Sequence, residues 1–266
     1  EEPQRLDCIV LAGDRQSGDR LADAARVHGK ALVPVAGIPM LSRVLTTLSG
    51  YGAIGRLVLV APELDEYRTI VSETWPSNRT GNLRWVAPSQ SLVASVGSAL
   101  NQCQTERCLL LTADHVLLDC AWLDELISQG HQAGTAVAVG LADWHSVMKR
   151  FPGSRRTRYR FSDRSVCGTN LFLLNERDGV HRVLELWREV EKERKKPWRI
   201  VSLLGYRNLA RYLAKRLSLE DAFAALSERV GAGLGCVLIK DPLAAVDVDS
   251  PEDLALVERV LMDCRP

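Results

Sequence analysis

The sequence predicts an α/β protein built on a mostly parallel sheet with helices on both faces. Three observations carry this. Short, continuously apolar runs, such as DCIVLA at 7–12, RLVLV at 56–60 and CLLLT at 108–112, read as strands buried on both faces. Segments with helical spacing lie between them, so strand and helix alternate through the first half of the chain. The length of 266 residues, 46% of them hydrophobic, supplies the apolar surface that such a core needs.

Taken in order, the first strand at 7–12 stops at Gly13, a loop is expected over 14–29, and helical spacing runs from Met40 to Leu48. The strand at 56–60 leads to a polar amphipathic helix over 64–74, and a weaker strand at 83–86 leads to a helix over 91–101. The strand at 108–112 precedes a helix over 121–129, and a further strand is expected at 135–141. The segment 149–164 changes character, with basic residues interleaved with Phe151, Tyr159 and Phe161. VCGTNLFLL at 166–174 reads as a strand; helices are expected over 180–192, 201–216 and 219–228, and short strands at 236–239 and 244–248. Pro251 suits the first position of a last helix, where its missing N–H leaves no bond unmade. With no repeat, low-complexity stretch or linker, a single domain over 1–266 is expected.

Composition excludes several classes. A formal net charge of +1 points to no nucleic-acid partner and no bulk attraction to a membrane. No apolar run approaches the roughly 18 to 20 residues that span a bilayer. The opening Glu1-Glu2-Pro3-Gln4 lacks a basic and apolar leader pattern, so a cytoplasmic protein is expected. The seven cysteines include no CxxC pair, which argues against zinc and against a disulfide scaffold; Cys8, Cys108 and Cys236 lie in strand-like runs and read as buried thiols.

Ligands of such sheets sit beyond the carboxyl ends of the strands, so the loops after Ala12 and Thr112 are the expected seat of chemistry. After Leu11-Ala12, Gly13 allows backbone amides to approach phosphate oxygens closely. Arg15, or Arg20 in the same loop, is a candidate to neutralise phosphate. Lys30 is a candidate point charge for the negative charge that builds on phosphorus in a transition state. Gly37 and Pro39 are expected to turn the chain into the helix at Met40. Asp114, just past a buried strand, is placed either to hold Mg²⁺ against phosphate or to cap a turn. In Asp247-Val248-Asp249-Ser250-Pro251-Glu252-Asp253, alternation directs Asp247 and Asp249 to one side. Ser250 suits a helix N-cap and the acids after it suit a first turn, so the string reads as a metal element or as a well-capped helix start.

Taken together, Leu11-Ala12-Gly13, a basic residue, Lys30, Val33-Pro34-Val35, Gly37 and Pro39 resemble the opening of MobA-like nucleotidyltransferases. DVDSPEDL at 247–254 is similar to that family's Asp-x-Asp-Thr-Pro-Glu-Asp-Leu element and is the most specific match. The resemblance runs from about Leu6 to Val260. Asp14 stands where the family has a second glycine, Val116 where it has a proline, and the loop to Lys30 is longer. The resemblance implies a GT-A-like, three-layer α/β/α fold, with 144–235 as an acceptor-side elaboration holding a helical insertion. It implies an NTP bound over the first loop with Mg²⁺ (or Mn²⁺), and pyrophosphate release when an acceptor oxygen attacks the α-phosphorus. Asp114 and Asp249, with Asp247 as second choice to Asp249, are then the metal ligands. Lys30, Arg15 and Asp114 are the catalytic candidates. Leu11, Ala12, Gly13, Arg15, Lys30, Ser91 and Ser95 are the nucleotide contacts, and His115, Gly168 and Asn170 the acceptor contacts; His115 also suits a place behind the metal ligand.

The expected activity is therefore transfer of a nucleoside monophosphate to a phosphorylated or hydroxyl-bearing acceptor, in the manner of a cytidylyl- or guanylyltransferase. The basic run 149–164, with KERKKPWR at 192–199, suits a phosphorylated acceptor, a peripheral anionic membrane surface, or simple solvation. Two rivals stand beside this reading. A glycosyltransferase on the same sheet would carry Asp-x-Asp where this chain has Thr112-Ala113-Asp114. A non-catalytic nucleotide-binding regulator is prompted by Asp14. Monomer and homodimer both fit the sequence.

Overall fold

The structure is a computed structural model that describes residues 5–13, 18–76, 82–132, 134–193 and 205–263. Its contacts divide the chain into two compact units: Glu1–Leu123 with Val246–Pro266, and the intervening Asp124–Ala245.

The first unit carries four parallel strands in the order β6-β1-β4-β5: β1 (Leu6–Leu11), β4 (Ile54–Val60), β5 (Leu83–Val86) and β6 (Cys108–Thr112). The central strands are buried on both faces, which is why their sequences are continuous apolar runs. Helix α2 (Met40–Gly50) buries Met40, Leu41, Val44, Leu45 and Leu48, a one-sided stripe at helical spacing. α3 (Asp65–Thr74) and α4 (Leu92–Leu100) follow β4 and β5, as the alternation predicts. α5 (Cys120–Gly130) begins in this unit, and the last helix, α10 (Pro251–Asp263), returns to it. Asp7 is a buried acid that organises backbone, since its Oδ2 accepts the N–H groups of Gln104 and Thr105 ahead of β6.

The second unit holds β7 (Val137–Asp143) between β10 (Leu234–Ile239), parallel to it, and β9 (Ser165–Leu174), antiparallel, with the short β8 (Tyr159–Arg160) paired to β9. α6 (Trp144–Arg150), α7 (Arg177–Glu193), α8 (Tyr206–Leu213) and α9 (Leu219–Val230) complete its described elements. The fold class read from the sequence, α/β on a mostly parallel mixed sheet, is the one found. Among the described residues no helix is long and apolar enough to cross a membrane.

Several local expectations change. The loop expected at 14–29 contains α1 (Arg20–Ala25), capped by Asp19, whose Oδ1 accepts the N–H groups of Leu21 and Ala22 at 2.9 and 3.0 Å. Between Lys30 and Met40 lie a single 3₁₀ turn (Lys30–Leu32) and a tight hairpin, β2 (Pro34–Val35) with β3 (Ile38–Pro39). Ala36 and Gly37, at its corner, both have positive φ, 48° and 81°, as primed hairpin turns require. The strand expected at 244–248 is absent: Pro242–Ala245 forms a 3₁₀ turn, favoured by the Asp241 carboxylate accepting from Leu243 N. The start of the helix expected at 201–216 lies outside the described residues. Cys8 and Cys108 are buried as expected, whereas Cys236 is only half-buried.

Candidate active site

Three distant stretches of the first unit converge at the carboxyl end of its sheet. β6 delivers Asp114, the segment before α10 delivers Asp247 and Asp249, and the 3₁₀ turn delivers Lys30. The backbone ties them in place. Ala113 N donates to Leu11 O at 2.9 Å, joining the ends of β1 and β6, and Val248 N donates to Asp114 O at 3.2 Å, laying the late acidic segment beside the early one. At the start of α10, Ser250 Oγ accepts from Asp253 N (3.2 Å) and donates to Asp253 Oδ2 (2.7 Å), which also accepts from Asp249 N (3.3 Å). The sequence offered a metal element or a helix cap at this string; the same residues serve the cap while presenting Asp247 and Asp249.

Lys30 is clamped from both sides. Arg43 on α2 donates twice to Val35 O, at 3.1 and 2.8 Å, and Glu258 on α10 accepts from Ala36 N at 2.9 Å, so both helices grip the hairpin that follows the lysine. Neither Arg43 nor Glu258 was apparent in the sequence. Each stands among ordinary helical positions, and its role depends on a distant backbone atom.

The electrostatics are those of a cation between acids. Lys30 Nζ donates to Asp114 Oδ2 at 2.7 Å and also to Asp249 Oδ1. Burial alone would lower the lysine pKa, but the charges of Asp114 and Asp249 and their hydrogen bonds outweigh it and hold it above the usual lysine range. Burial likewise pushes Asp114 up, and the Lys30 ammonium more than reverses this, keeping the carboxyl below its usual range. The Lys30 and Asp114 side chains are each 17% exposed and Asp249 is 64% exposed, so the cluster is closed on the Asp114 side and open on the Asp249 side.

This donor set fits a hard divalent cation. Asp114, Asp247 and Asp249 each offer a carboxylate oxygen, and these oxygens lie within 4.8 Å of one another. Asp114 Oδ1 is buried and accepts no hydrogen bond of ordinary geometry among the described residues, which leaves an oxygen lone pair for a ligand. All-oxygen, carboxylate-rich ligation is what Mg²⁺ and Mn²⁺ take.

The remaining predicted contacts divide. Gly13 lies at the end of β1, and a Cβ built there would stand 2.6 Å from Pro88 Cβ, so glycine is what lets the loops after β1 and β5 close on each other. Leu11 and Ala12 are held by their own backbone bonds at the same sheet end. Ser91 caps α4 through Oγ to Ala94 N at 3.1 Å. Ser95 is buried and its Oγ accepts from Ser89 N at 2.9 Å, so it shapes the 88–91 loop. His115 is fully buried, with its ring 5.6 Å from that of Trp122, a placement that suits the position behind the metal ligand. Arg15 lies outside the described residues, and Arg20 is exposed on α1.

In the second unit, Gly168 borders a bulge in β9 and Asn170 lies within it. Val139 pairs with Phe172 but Leu141 with Gly168, so 169–171 stand opposite the lone Gly140. Asn170 sits at φ 55°, and Thr169 Oγ1 is buried with no hydrogen-bond partner among the described residues. Such strain in a strand is characteristic of functional positions.

A family model described as the MobA-like NTP transferase domain matches residues 8–148. A structure titled as a hypothetical transferase from Thermus thermophilus is similar at 28% identity, with a TM-score of 0.76, covering 94% of this chain and 99% of that one. At 15% identity and a TM-score of 0.58, the fold is shared with 4-diphosphocytidyl-2C-methyl-D-erythritol synthase from Anaerococcus prevotii, over 98% of this chain and 97% of that one. It is shared too, at 11% identity and 0.58, with a CMP:2-keto-3-deoxy-manno-octonic acid synthetase complexed with CTP, over 97% and 99%. No curated protein matches significantly.

Proposed function

Because the chain belongs to the MobA-like NTP transferase family, we propose that it transfers a nucleoside monophosphate from an NTP to a phosphorylated or hydroxyl-bearing acceptor, with release of pyrophosphate. The observation that carries this reading is the convergence of Lys30, Asp114, Asp247 and Asp249 beside the Gly13 loop. Three carboxylates beside a phosphate loop make no sense for binding a polyanion unless a divalent cation lies between them. Mg²⁺ or Mn²⁺, held by Asp114 and Asp249 with Asp247 alongside, would neutralise phosphate charge and fix the α-phosphate for in-line attack.

The protein's own part follows from its geometry. Gly13, with no Cβ, leaves backbone amides free to meet phosphate oxygens. Lys30 remains charged throughout the ordinary pH range, so in this reading it supplies positive charge as the pentacoordinate transition state gathers negative charge. Arg15, outside the described residues, is the second candidate cation of this reading. The buried Asp114 stays ionised, so it binds cations rather than transferring protons. No protein nucleophile is needed: the acceptor oxygen bonds to the α-phosphorus as the bond to the pyrophosphate oxygen breaks. Gly168 and Asn170, on the bulged strand, are the acceptor contacts of this reading.

CTP is the favoured donor and GTP the second, because the two distant fold neighbours are described by cytidyl or CMP chemistry. The test is pyrophosphate release with each NTP, Mg²⁺ and a panel of phosphorylated acceptors. Asp114→Asn and Asp249→Asn are expected to reduce it by about 10²-fold or more, the scale of lost transition-state charge stabilisation. Undiminished turnover in both variants removes the site assignment. Release of nucleoside diphosphate from a nucleotide sugar instead would replace this reading with glycosyl transfer.

A further inference from the structure

The arginines of the second unit differ in how their charge is met. Arg150 pairs with Asp241 at 3.2 Å, Arg164 with Asp163 at 2.9 Å, and Arg211 with Asp221. Arg158 is held by several contacts and meets no carboxylate among the described residues. Its guanidinium lies over the Trp144 ring, 4.3 Å from the centroid. Its Nε and one Nη donate to Ser165 Oγ at 3.1 and 3.0 Å, and the same Nη lies 3.4 Å from His145 Nε2. His145 itself stands edge-on to Trp144 at 5.3 Å.

Every one of these contacts orients the guanidinium and none neutralises it. A stacked ring and a neutral hydroxyl fix the plane of the fork; Ser165 is itself buried at the head of β9, so the anchor does not move. The second Nη has no acceptor among the described residues, and Arg155 and Arg160 beside it in sequence also lack carboxylate partners there. A guanidinium held by an aromatic ring and neutral groups keeps its full charge available to an anion. A rigid, planar, unneutralised fork is the arrangement that recognises phosphate with two parallel hydrogen bonds.

We propose that Arg158, set by Trp144 and Ser165, is a phosphomonoester anchor of the second unit. A dianion is indicated over a carboxylate because Arg155 and Arg160, neither with a carboxylate partner among the described residues, flank Arg158 in the sequence.

The test titrates the full chain with glycerol 3-phosphate, using glycerate and glycerol as the carboxylate and neutral counterparts, by calorimetry and by tryptophan fluorescence. Saturable binding of glycerol 3-phosphate is expected. It should weaken about tenfold or more in Arg158→Gln, the loss typical of a charge-assisted hydrogen bond. Arg158→Lys, which keeps the charge without the fork, should weaken it less, Ser165→Ala should weaken it with the charge intact, and Trp144→Phe should remove the ligand-dependent fluorescence change. Lys30→Met separates the sites, since the anchor should still bind in that variant. The proposal is overturned if wild-type protein does not bind glycerol 3-phosphate, if glycerate binds as well, or if binding survives Arg158→Gln but is lost in Lys30→Met.

Discussion

Lys30 and Asp114 are each costly to bury alone and stable together, and this sets what substitutions there will do. Removing the ammonium leaves a buried carboxylate facing Asp249 with no cation, a loss of about 3–5 kcal/mol for a broken buried pair. Lys30→Met is therefore expected to lower urea-unfolding stability strongly. Lys30→Met/Asp114→Asn should recover most of it, because the stranded charge has gone with its partner. If the double variant is no better than the single, the pair is not what stabilises this corner. The pH dependence has a definite sign. Asp114 is held below its usual range, so its contribution is present above the ordinary carboxylate pKa and is lost as pH falls from about 4 through the lower folded value. Lys30 is held above its range, so its contribution persists through neutral pH and is lost only as pH rises beyond the ordinary lysine value of 10.5 toward the folded one. Acid unfolding of Asp114→Asn should thus be flatter with pH than that of the parent. An equal slope in the two proteins would show that the ion pair does not govern the acid limb.

At the scale of elements, the site is a matter of how loops are ended. α10 starts on Ser250, whose bonds with Asp253 cap the helix and, through Asp253, hold the backbone of Asp249. Ser250→Ala is expected to cost about 1 kcal/mol of stability by thermal melting. It should also weaken Mn²⁺ binding measured by paramagnetic resonance, and an unchanged Mn²⁺ affinity would show that Asp249 needs no such support. At the other loop, Gly13→Ala drives a methyl group into Pro88 and is expected to destabilise by about 1–3 kcal/mol. Gly13→Ala/Pro88→Gly should relieve the clash in denaturant titrations; no recovery would place the strain elsewhere.

These elements also mark what was legible. Continuous apolar runs announced β1, β4 and β6, because strands buried on both faces need no alternation. Asp114 and DVDSPEDL were legible because a carboxylate at a strand end and a serine before Pro251 are local patterns. α1 was missed because its apolar face is small; only Leu21 and Ala22 are buried, and the signal was the Asp19 cap. The strand wrongly expected at 244–248 had strand-like residues but no pairing partner to accept it, a tertiary fact. Arg43, Glu258 and the enclosure of His115 depend on which distant backbone lies beside them, and nothing in the local sequence encodes that.

On the scale of the whole molecule, the first unit is discontinuous. It is made from 1–123 and completed only by 246–266, and its acidic cluster draws one carboxylate from the first stretch and two from the second. Nucleotide and metal should therefore lock together parts of the chain far apart in sequence, and ligand stabilisation is the measurement that sees this. A ligand at a hundred times its dissociation constant stabilises the folded state by about 2.7 kcal/mol. For a chain of this size that corresponds to a rise in melting temperature of about 5–10 °C. CTP with Mg²⁺ is expected to produce such a rise in scanning calorimetry, neither component alone should match it, and Asp249→Asn should abolish the synergy. Because every residue assigned to nucleotide and metal lies in the first unit, any resolved pair of transitions should show the shift in the one that Asp249→Asn alters. An equal shift in parent and variant would mean that the late acidic segment does not hold the metal, however well its carboxylates converge.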